Sequence, residues 1–384
     1  MENKKIKILY IHHSGRYGGA PRSLSYLLKN IDLKKYEPKL INIAEGPINS
    51  FLKDLPGDFE IVKGIRPFHG STVAEKSFKS LLVNFIFLVP SILRAYRVLK
   101  QNEADIIHLN STCLFAFAIA SKFLKRETKV ISHVREPLRT SISGKITAFF
   151  IRMFTHGVIA ISEFDLKSLN INKPEIKTIV IHNFVEESDI PKILDKDFVL
   201  HKKINISKSS IVFLYLARFA ESNGWKQLIE MAFKIIPDNP EFHFVLVGAH
   251  SQEDLSYIQH PNIHLLPFQE NVASLFLNSD VFVCPFVEPH FSRGVIEASY
   301  AGLPIIASNV GSVNELLVNN KTGFLYENFS SFEKYAVALG SDAELRKTLG
   351  AGGIKYARQN FNLKKQCTHT FNFYKTILGT SHKL

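Results

Sequence analysis

Short apolar runs alternate along the chain with longer segments in which apolar residues recur every three or four positions. Continuous apolar runs are typical of buried parallel strands, and the longer period is typical of amphipathic helices. In the first half, the pattern predicts strands at residues 6–12, 39–43, 59–63, 106–110, 129–134, 156–163 and 178–183. Helices are predicted between them, over residues 78–101 and 111–124 among others. This alternation predicts a doubly wound α/β domain with a parallel sheet.

A glycine-rich loop, residues 14–21, follows the first predicted strand. Pro21 or Arg22 is expected to open a helix, because proline is favoured at the first helical position. The glycine spacing is not G-x-G-x-x-G, so a dinucleotide site is not supported. Gly18 and Gly19 are predicted to let the backbone approach a ligand closely, and a simple tight turn is the alternative.

The second half repeats the pattern, with predicted strands at residues 210–217, 242–248, 263–266, 280–285, 303–307 and 323–326. Residues 186–210, between the halves, are polar and charged and are interpreted as a linker. The chain is therefore expected to form two Rossmann-like domains, residues 1–190 and 205–362, that face each other across a cleft. Asp195 and Asp197 form a D-x-D pair in the linker, but no strand precedes them and the pair indicates a metal site only weakly.

Residues 280–307 are predicted to form a strand, a loop, a helix and a second strand. The helix is expected to begin near Gly294 and to end at Gly302, because Pro304 cannot continue it. Such a loop is where α/β proteins hold anionic ligands, since the free N–H groups and the helix dipole face the ligand. Glu297, one turn into the helix, is placed to hydrogen-bond sugar hydroxyls. A surface glutamate in an ordinary βαβ unit is the alternative.

The chain has 384 residues and a net charge of +12, which indicates an anionic partner such as a nucleotide substrate or a membrane surface. The basic residues do not form one block and no nucleic-acid-binding signature is present, so nucleic acid is not expected. The three cysteines have no metal-ligand or redox spacing, and residues 1–5 do not resemble a signal peptide. A cytosolic protein is therefore expected.

The most apolar segment, residues 81–93, contains Asn84 and Pro90 and is too short to span a bilayer. It is interpreted either as a buried helix or as a site of peripheral membrane contact. Residues 145–154 are basic and aromatic, a composition that suits an anionic bilayer surface.

Several motifs of the second half together resemble the retaining glycosyltransferases of family four, which have the GT-B fold. They include Leu216-Ala217-Arg218 with Gly224, the run 244–248, the run 278–285, Glu297-Ala298, and the runs 301–307 and 322–325. The first half matches more loosely, through Gly18-Gly19-Ala20, the run 105–108, the run 133–136 and Asn183. The resemblance covers nearly the whole chain.

This resemblance implies a transferase that takes a sugar from a nucleotide-sugar and keeps the anomeric configuration. The second domain is expected to hold the donor and the first domain most of the acceptor. The last helix, within residues 363–384, is expected to pack back on the first domain. No metal or other cofactor is expected in this fold.

The resemblance also assigns roles to residues. Arg218 matches the arginine that binds the leaving phosphate, Glu297 the glutamate that binds the ribose, and His133 the histidine beside the reacting sugar. His133, Arg218 and Glu288 are the predicted catalytic residues. The predicted donor-binding set is Gly18, Gly19, Arg218, Asn223, Lys226, Gly248, Phe268, Ser292, Arg293, Gly294, Val295 and Glu297. Arg16, Tyr17, Arg22 and Arg135 are the predicted acceptor-binding residues, and ordinary surface charge is the alternative for them.

Two positions depart from the family pattern. The family has a lysine directly before the glycine that corresponds to Gly224, whereas this chain has Asn223, and Lys226 is a possible substitute. The family's second glutamate would fall on Pro289, whereas Glu288 lies one residue earlier. Either the loop brings Glu288 to the sugar, or His290 or the backbone takes over its role.

The favoured hypothesis is a glycosyltransferase acting on a glycan or lipid-linked acceptor in bacterial-type cell-surface polysaccharide synthesis, at the cytosolic membrane face. Because of the two departures, a GT-B protein that binds ligands without catalysis is an alternative. A sugar-nucleotide epimerase is a third and weaker hypothesis. The nucleotide base, the sugar and the acceptor do not follow from these motifs.

Overall fold

The computed structural model describes residues 4–71, 78–187, 190, 199–269 and 272–379, and for residues 78–80 it describes only the backbone. It divides into two compact units, Met1–Asn183 with Leu363–Leu384, and Phe184–Asn362. The predicted linker, residues 186–210, lies partly outside the described residues, and the pair Asp195 and Asp197 lies wholly outside them.

The first unit is built on a parallel sheet whose strand order is β3-β2-β1-β4-β5-β6-β7 in the part of the chain that is described. The strands are β1 (Ile6–His12), β2 (Tyr36–Asn42), β3 (Asp58–Ile61), β4 (Ile106–Leu109), β5 (Lys129–Val134), β6 (Gly157–Ala160) and β7 (Lys177–Val180). The helices are α1 (Gly19–Lys29), α2 (Ile48–Lys53), α3 (Phe78–Gln101), α4 (Phe115–Ser121), α5 (Ile142–Phe154) and α6 (Glu163–Lys167).

The second unit has a parallel sheet of its own, with the order β10-β9-β8-β11-β12-β13 within the described residues. Its strands are β8 (Ile211–Leu216), β9 (Phe242–Ala249), β10 (Ile263–Pro267), β11 (Val281–Cys284), β12 (Ile305–Ser308) and β13 (Gly323–Tyr326). Its helices are α7 (Val199–Lys203), α8 (Trp225–Ile235), α9 (Gln252–Ser256), α10 (Ala273–Leu277), α11 (Arg293–Ala301), α12 (Phe329–Ser341) and α13 (Ala343–Asn360).

Two doubly wound parallel sheets confirm the predicted fold class. Strands β4, β6, β11 and β12 are buried along their whole length, because helices cover both faces of each sheet. All strands of a parallel sheet end at the same edge, so the residues that follow them are brought close together there.

The final helix, α14 (Leu363–Leu378), belongs to the first unit although it follows the second unit in sequence. Its buried residues include Thr370, Phe373, Tyr374 and Ile377, which share one helical face. Phe371 stacks on Tyr36 of β2 with a centroid separation of 5.3 Å.

Some predicted helix bounds were wrong. Helix α1 begins at Gly19, two residues before Pro21, and the predicted helix 111–124 is a 3₁₀ turn at Thr112–Leu114 followed by α4. In contrast, α11 runs from Arg293 to Ala301 and ends at Gly302, whose φ of 86° lies in the left-handed region that favours glycine. The predicted strand–loop–helix of the second unit is therefore confirmed.

Helix α3 differs from a buried core helix. Ala95, Val98 and Leu99 are buried against the sheet, whereas Ile86 is 59% exposed and Val89 is 62% exposed. The segment Leu81–Gln101 is long and apolar enough to cross a membrane by length and composition alone, and 22% of its most apolar window is buried. A fully buried helix, one of the two interpretations of residues 81–93, is therefore wrong.

Candidate functional site

Three polar residues lie side by side where the central strands of the first unit end. Ile11 of β1 pairs with Leu109 of β4, and Leu109 pairs with Ser132 of β5. The residues that come next along the chain are His12, Asn110 and His133. They therefore lie next to one another across the carboxyl edge of the sheet. All three side chains are buried.

Asn110 connects these strand ends. Its Nδ2 lies 3.0 Å from His12 Nδ1 and donates to the Ala20 carbonyl at 3.3 Å. Its Oδ1 accepts from Arg135 Nε at 2.9 Å and from Arg135 Nη2 at 2.6 Å. Arg135 also lies 3.3 Å from His133 Nδ1 and donates to Asn183 Oδ1 at 3.2 Å. Arg135 was predicted to bind the acceptor. In the structure its guanidinium contacts Asn110 and His133 at the strand ends.

A second series of buried polar groups connects His133 to helix α14. His108 Nε2 lies 3.2 Å from His133 Nδ1, and His108 Nδ1 lies 2.7 Å from the Tyr374 hydroxyl of α14. The Tyr374 hydroxyl lies 3.4 Å from the Tyr10 hydroxyl. Four buried side chains from β1, β4, β5 and α14 therefore form one connected series.

The imidazoles of this edge are neutral. Burial, reinforced by the positive charge of Arg135, lowers the pKa of His108 to about 3. The pKa of His133 is lowered well below its ordinary value by burial first and then by Arg135 and His108. The pKa of His12 is lowered in the same way, by burial, His13 and Arg135. The site therefore offers neutral donors and acceptors near pH 7.

A cavity of about 430 Å³ lies beside this edge in the first unit. It is lined by His13, Ser14, Gly15, Arg16, Glu45, Gly46, Pro47, Pro67 and His69. Two loops meet there so closely that a Cβ on Gly15 would overlap the Glu45 carbonyl. Burial lowers the pKa of His13 to about 4, so its imidazole is neutral at the cavity wall.

The other predicted residues of this unit lie on the surface of the glycine-rich loop and of α1. Tyr17 is exposed, and its hydroxyl donates to the Pro47 carbonyl at 3.5 Å. Gly18 has an extended backbone, and a Cβ on Gly18 or Gly19 would meet nothing within 4 Å. These two glycines are therefore not required by packing, and Arg22 lies half-buried one turn into the helix.

In the second unit, the loops after β8 and β11 bring three predicted groups together. Arg218 follows β8 and is exposed, whereas Glu288 and His290 follow β11 and are partly buried. Burial first and then the Arg218 charge lower the pKa of His290 to about 4, against the opposing effects of the Glu288 carbonyl hydrogen bond and the Glu288 carboxylate. His290 stacks on Phe286 at 3.9 Å, and its Nδ1 lies 3.1 Å from the Glu288 carbonyl oxygen.

The positions that depart from the family pattern hold the loop in place. Asn223 is buried, and its Nδ2 donates to the Arg218 carbonyl at 2.8 Å. Lys226 points to an aromatic pair, with Nζ 5.5 Å from the Trp225 centroid and 5.2 Å from the Tyr257 centroid. Asn223 therefore bonds to the Arg218 backbone, whereas Lys226 lies on the two aromatic rings.

Glycines allow backbone segments of the second unit to approach closely. Gly224 has φ 70°, and a Cβ there would overlap the Pro285 carbonyl. Gly248 has φ 138°, and a Cβ there would overlap the Ala217 carbonyl. At Gly294 a Cβ would lie 2.9 Å from the Phe282 ring and 3.2 Å from the Leu216 carbonyl. The start of α11 therefore packs directly on the carboxyl end of β8.

Helix α11 carries the remaining predicted donor residues. Glu297 is buried, and its Oε1 accepts from Arg293 Nε at 3.0 Å. Ser292 is the N-cap residue without a side-chain capping bond, and Val295 is fully buried. Phe268 follows β10, is half-exposed, and stacks on His250 at 5.5 Å with an interplanar angle of 21°. An exposed stacked ring of this kind can receive a planar base.

Comparison with known proteins bears on this geometry. Residues 197–356, nearly the whole second unit, match the family described as Glycosyl transferases group 1. The second unit is thus similar to the group 1 glycosyltransferases. A galactosyltransferase from Escherichia coli, UDP-Gal:alpha-D-GlcNAc-diphosphoundecaprenol alpha-1,3-galactosyltransferase, is 24% identical over 350 residues, which is 85% of each chain. The capsular polysaccharide glycosyltransferase CapM of Staphylococcus aureus is 26% identical over 49% of this chain and 52% of its own.

Solved structures of this glycosyltransferase fold superpose on the chain. Anabaena Alr3699/HepE in complex with UDP gives a TM-score of 0.77 at 18% identity, covering 97% of this chain and 100% of that chain. WaaG, a glycosyltransferase involved in lipopolysaccharide biosynthesis, gives 0.69 at 12% identity, with 96% and 99% covered. These likenesses confirm the GT-B fold predicted from the sequence.

Sequence motifs did not single out several residues of the glycosyltransferase's first unit. His12, Asn110, His108, His13 and Tyr374 were not among the predicted site residues, although four of them sit at or near the ends of β1 and β4. Polar residues that close an apolar run are a usable signal, because strand ends meet at one edge. Tyr374 had no such signal, since its partner His108 lies 266 residues earlier.

Proposed function

We propose that this glycosyltransferase is a retaining, metal-independent enzyme that transfers a sugar from a UDP-sugar to a lipid-linked acceptor in cell-surface polysaccharide synthesis. The observation that carries the proposal is the group formed by Arg218, Glu288 and His290 beside the start of α11. A departing diphosphate develops negative charge, and a fixed guanidinium together with helix-terminal N–H groups stabilises it.

The proposed step breaks the bond between the anomeric carbon and the diphosphate oxygen and forms a bond to an acceptor hydroxyl oxygen on the same face. The acceptor proton passes to the leaving diphosphate, so charge and atoms balance without a metal. Arg218 stabilises the diphosphate, Glu297 binds the ribose, and the Phe268–His250 pair stacks on the base. His133 contacts the sugar that is transferred.

The cavity of the first unit is the proposed acceptor site. Neutral His13 and His69 offer ring faces and nitrogen donors that suit a sugar, and Arg16 at the rim suits a phosphate. Tyr17 and Arg22 are proposed to contact the same acceptor, whereas Gly18 and Gly19 keep their proposed donor-binding role.

The names of two relatives support the choice of substrates. The Escherichia coli enzyme uses UDP-Gal and a diphosphoundecaprenol-linked sugar, as its name states. A Campylobacter jejuni relative, 26% identical over 54% of this chain and 57% of its own, also acts on a diphospho-undecaprenol substrate by name.

We further propose peripheral attachment to the inner face of the membrane through α3 and α5. Both helices pack on one core cluster, through Leu88 and Ile92 from α3 and Phe150 and Phe154 from α5. Their outer faces are apolar and exposed at Leu82, Phe85, Ile86, Val89, Leu93, Ile142, Phe149 and Met153. Arg66, Arg94, Arg97 and Lys145 border these faces, and Arg66 lies 4.2 Å from the Phe87 ring. An apolar face with a basic border fits an anionic lipid surface.

Vesicle co-sedimentation tests the attachment. We expect the protein to bind vesicles that contain one-third phosphatidylglycerol and to remain unbound with phosphatidylcholine alone. Ile86→Glu together with Val89→Glu should abolish binding, whereas Val337→Glu, on an exposed position of α12, should leave it unchanged. Equal binding of the double variant and the wild type would contradict the proposed surface.

The catalytic proposal is tested with purified protein and UDP-, GDP-, ADP- and CMP-sugars. Thermal stabilisation should be specific to UDP-sugars. Transfer should then require an acceptor sugar carried on a lipid diphosphate, and the free sugar should be a poor substrate. The anomeric configuration of the product, read by NMR, decides between retention and inversion, and an inverted product would refute the mechanism.

A ligand-binding protein without transferase activity is the second candidate, because Asn223 replaces the family lysine and Lys226 lies on the Trp225 and Tyr257 rings. Tight UDP-sugar binding with no transfer to any lipid-linked acceptor would favour it. UDP-sugar turnover by the wild type would exclude it.

A further inference from the structure

Helix α14 reaches the predicted sugar-binding histidine through the buried chain Tyr10–Tyr374–His108–His133. We propose that Tyr374 and His108 are positioning residues, which fix His133 in the tautomer that presents Nε2–H as a hydrogen-bond donor to the ligand. The inference deepens the proposed function and rests on it for the identity of the ligand. It assigns a role in substrate binding to a helix that lies outside the residues matched by the glycosyltransferase family.

Arg135 determines the proton position at one end of the chain. A guanidinium carries only N–H donors, so His133 Nδ1, 3.3 Å from Arg135 Nη2, must be the acceptor. A neutral imidazole that accepts at Nδ1 carries its proton on Nε2. Since burial and Arg135 keep the pKa of His133 low, the imidazole is neutral and this is its tautomer.

The same reasoning fixes His108. His108 Nε2 lies 3.2 Å from the accepting His133 Nδ1, so His108 must donate from Nε2 and accept at Nδ1. The donor to His108 Nδ1 is the Tyr374 hydroxyl at 2.7 Å, a short distance for a neutral hydrogen bond. The Tyr374 hydroxyl also points toward the Tyr10 oxygen at 3.4 Å, which is long for an O–H···O bond, so its single proton is assigned to the 2.7 Å bond to His108 Nδ1. In this assignment the single lone pair of His133 Nδ1 is shared by Arg135 Nη2–H and His108 Nε2–H.

The far end of the chain supports a ligand. Within the described residues, His133 Nε2 is buried and no polar group lies within hydrogen-bond distance of it. His12 repeats the arrangement, since Asn110 donates to His12 Nδ1 and no described group contacts His12 Nε2. A buried N–H without an acceptor is destabilising. We therefore expect the Nε2–H groups of His12 and His133 to donate to oxygen atoms of a ligand or of solvent.

Without the Tyr374 hydroxyl, a second tautomer of His108 becomes accessible. Its proton can move to Nδ1, which leaves a lone pair on Nε2 facing His133. His133 then donates from Nδ1, and its Nε2 becomes an acceptor that no longer donates to a sugar oxygen. Arg135 opposes this state, so Tyr374→Phe is expected to mix the two tautomers.

The decisive measurement is the ¹⁵N spectrum of the histidine rings in full-length protein, with His133→Gln and His108→Gln used to assign the signals. In the wild type we expect protonated Nε2 on both His108 and His133. In Tyr374→Phe the ring nitrogen signals of both residues should shift toward the other tautomer. Protonated Nδ1 on His133 in the wild type, or unchanged signals in Tyr374→Phe, would overturn the inference.

Tyr36→Phe is the matched control. Its hydroxyl is also buried and packs on α14 through Phe371, but no described residue hydrogen-bonds to it. Tyr374→Phe should lower the melting temperature more than Tyr36→Phe, because only Tyr374 loses a hydrogen bond and leaves a buried partner. Only Tyr374→Phe should change the histidine spectra. Equal spectral changes in Tyr36→Phe would indicate general loosening and overturn the assigned role.

Activity gives a second readout. With UDP-galactose and UDP-glucose as probes, release of UDP should fall about fivefold in kcat/KM for Tyr374→Phe, the effect of weakening one neutral hydrogen bond. Tyr36→Phe should match the wild type. If the wild type releases UDP from neither donor, the proposed function fails, whereas the ring spectra still decide the tautomer.

Discussion

The two units hold polar groups at the carboxyl edges of similar parallel sheets, but they use different parts of the chain. In the first unit the edge is formed by buried side chains, with His12, Asn110 and His133 in line and Arg135 connecting them. In the second unit the edge is formed largely by backbone, because Gly224, Gly248 and Gly294 allow close approach.

This difference matches what each edge binds in the proposed mechanism. Backbone N–H groups and one arginine suit the fixed charge and shape of a diphosphate, which UDP-, GDP- and ADP-sugars share. Directed side-chain donors suit hydroxyl groups, whose positions differ from one sugar to another. We therefore expect the first edge to determine sugar preference and the second edge to provide donor affinity.

The largest expected effect is on turnover, at Arg218. Arg218→Ala should lower kcat by about 100-fold or more, because a fixed charge on the leaving group is lost. Steady-state UDP release measures this. Lys347→Ala, which removes an exposed cation of the same unit, is the control and should leave kcat unchanged. A loss below threefold would remove Arg218 from the proposed mechanism.

The glycines offer a test by stability. Gly224→Ala should lower the free energy of unfolding by roughly 2 kcal/mol or more, since φ is positive and the Pro285 carbonyl blocks a Cβ. Gly18→Ala is the matched variant in the first unit and should be neutral, because nothing lies near its Cβ. Urea unfolding measures both, and equal effects would contradict the comparison.

Acid should destabilise the buried histidine edge. Burial holds the pKa of His108 at about 3, below the ordinary value of 6.5. As the pH falls below 6.5, His108 therefore binds a proton in the unfolded chain but not in the folded protein. The contribution of neutral His108 to stability is thus present above pH 6.5 and is lost on acidification. Between pH 6.5 and 5 this loss is about 2 kcal/mol for one imidazole.

His108→Gln isolates that contribution. Urea unfolding followed by circular dichroism should show a smaller decrease between pH 6.5 and 5 in the variant than in the wild type. Fluorescence of Trp225, the single tryptophan, reports the second unit in the same samples. Identical pH dependence of the two proteins would show that His108 does not stay neutral in the fold.

A smaller change is expected at Glu297. Glu297→Gln should raise the KM for a UDP-sugar about tenfold through loss of a charge-assisted hydrogen bond to the ribose. Because Glu297 also pairs with Arg293 at 3.0 Å, Arg293→Gln serves as the comparison variant. An equal rise in both would mean that the ion pair, and not ribose contact, explains the effect.

No effect is expected from metal removal. EDTA should leave the rate of UDP release unchanged, because the proposed leaving-group stabilisation uses Arg218 and backbone N–H groups. Among the residues that the structure describes, no cluster of three potential metal-ligating side chains is present. A rate that falls with EDTA and recovers with Mg²⁺ would refute the metal-independent mechanism.

The fold was predictable because it depends on local patterns. Apolar runs such as Val281-Phe282-Val283-Cys284 indicate buried strands, and the stop at Gly302 and Pro304 indicates a helix end. The placement of Lys226 was not predictable, since its position over two rings depends on Tyr257 from another helix. Likewise, the apolar composition of α3 suits a core helix, and only packing shows that Ile86 and Val89 face outward.

The membership of α14 in the first unit also has a consequence for synthesis of the chain. The ribosome synthesises β1, β4 and β5 long before Leu363–Leu378. Tyr10 and His108 therefore cannot contact Tyr374 until the entire second unit has been synthesised. The first unit thus completes its buried polar chain last, although its strands are made first. In the proposed mechanism, a nascent chain stopped before Leu363 lacks the Tyr374 bond that positions His133 through His108.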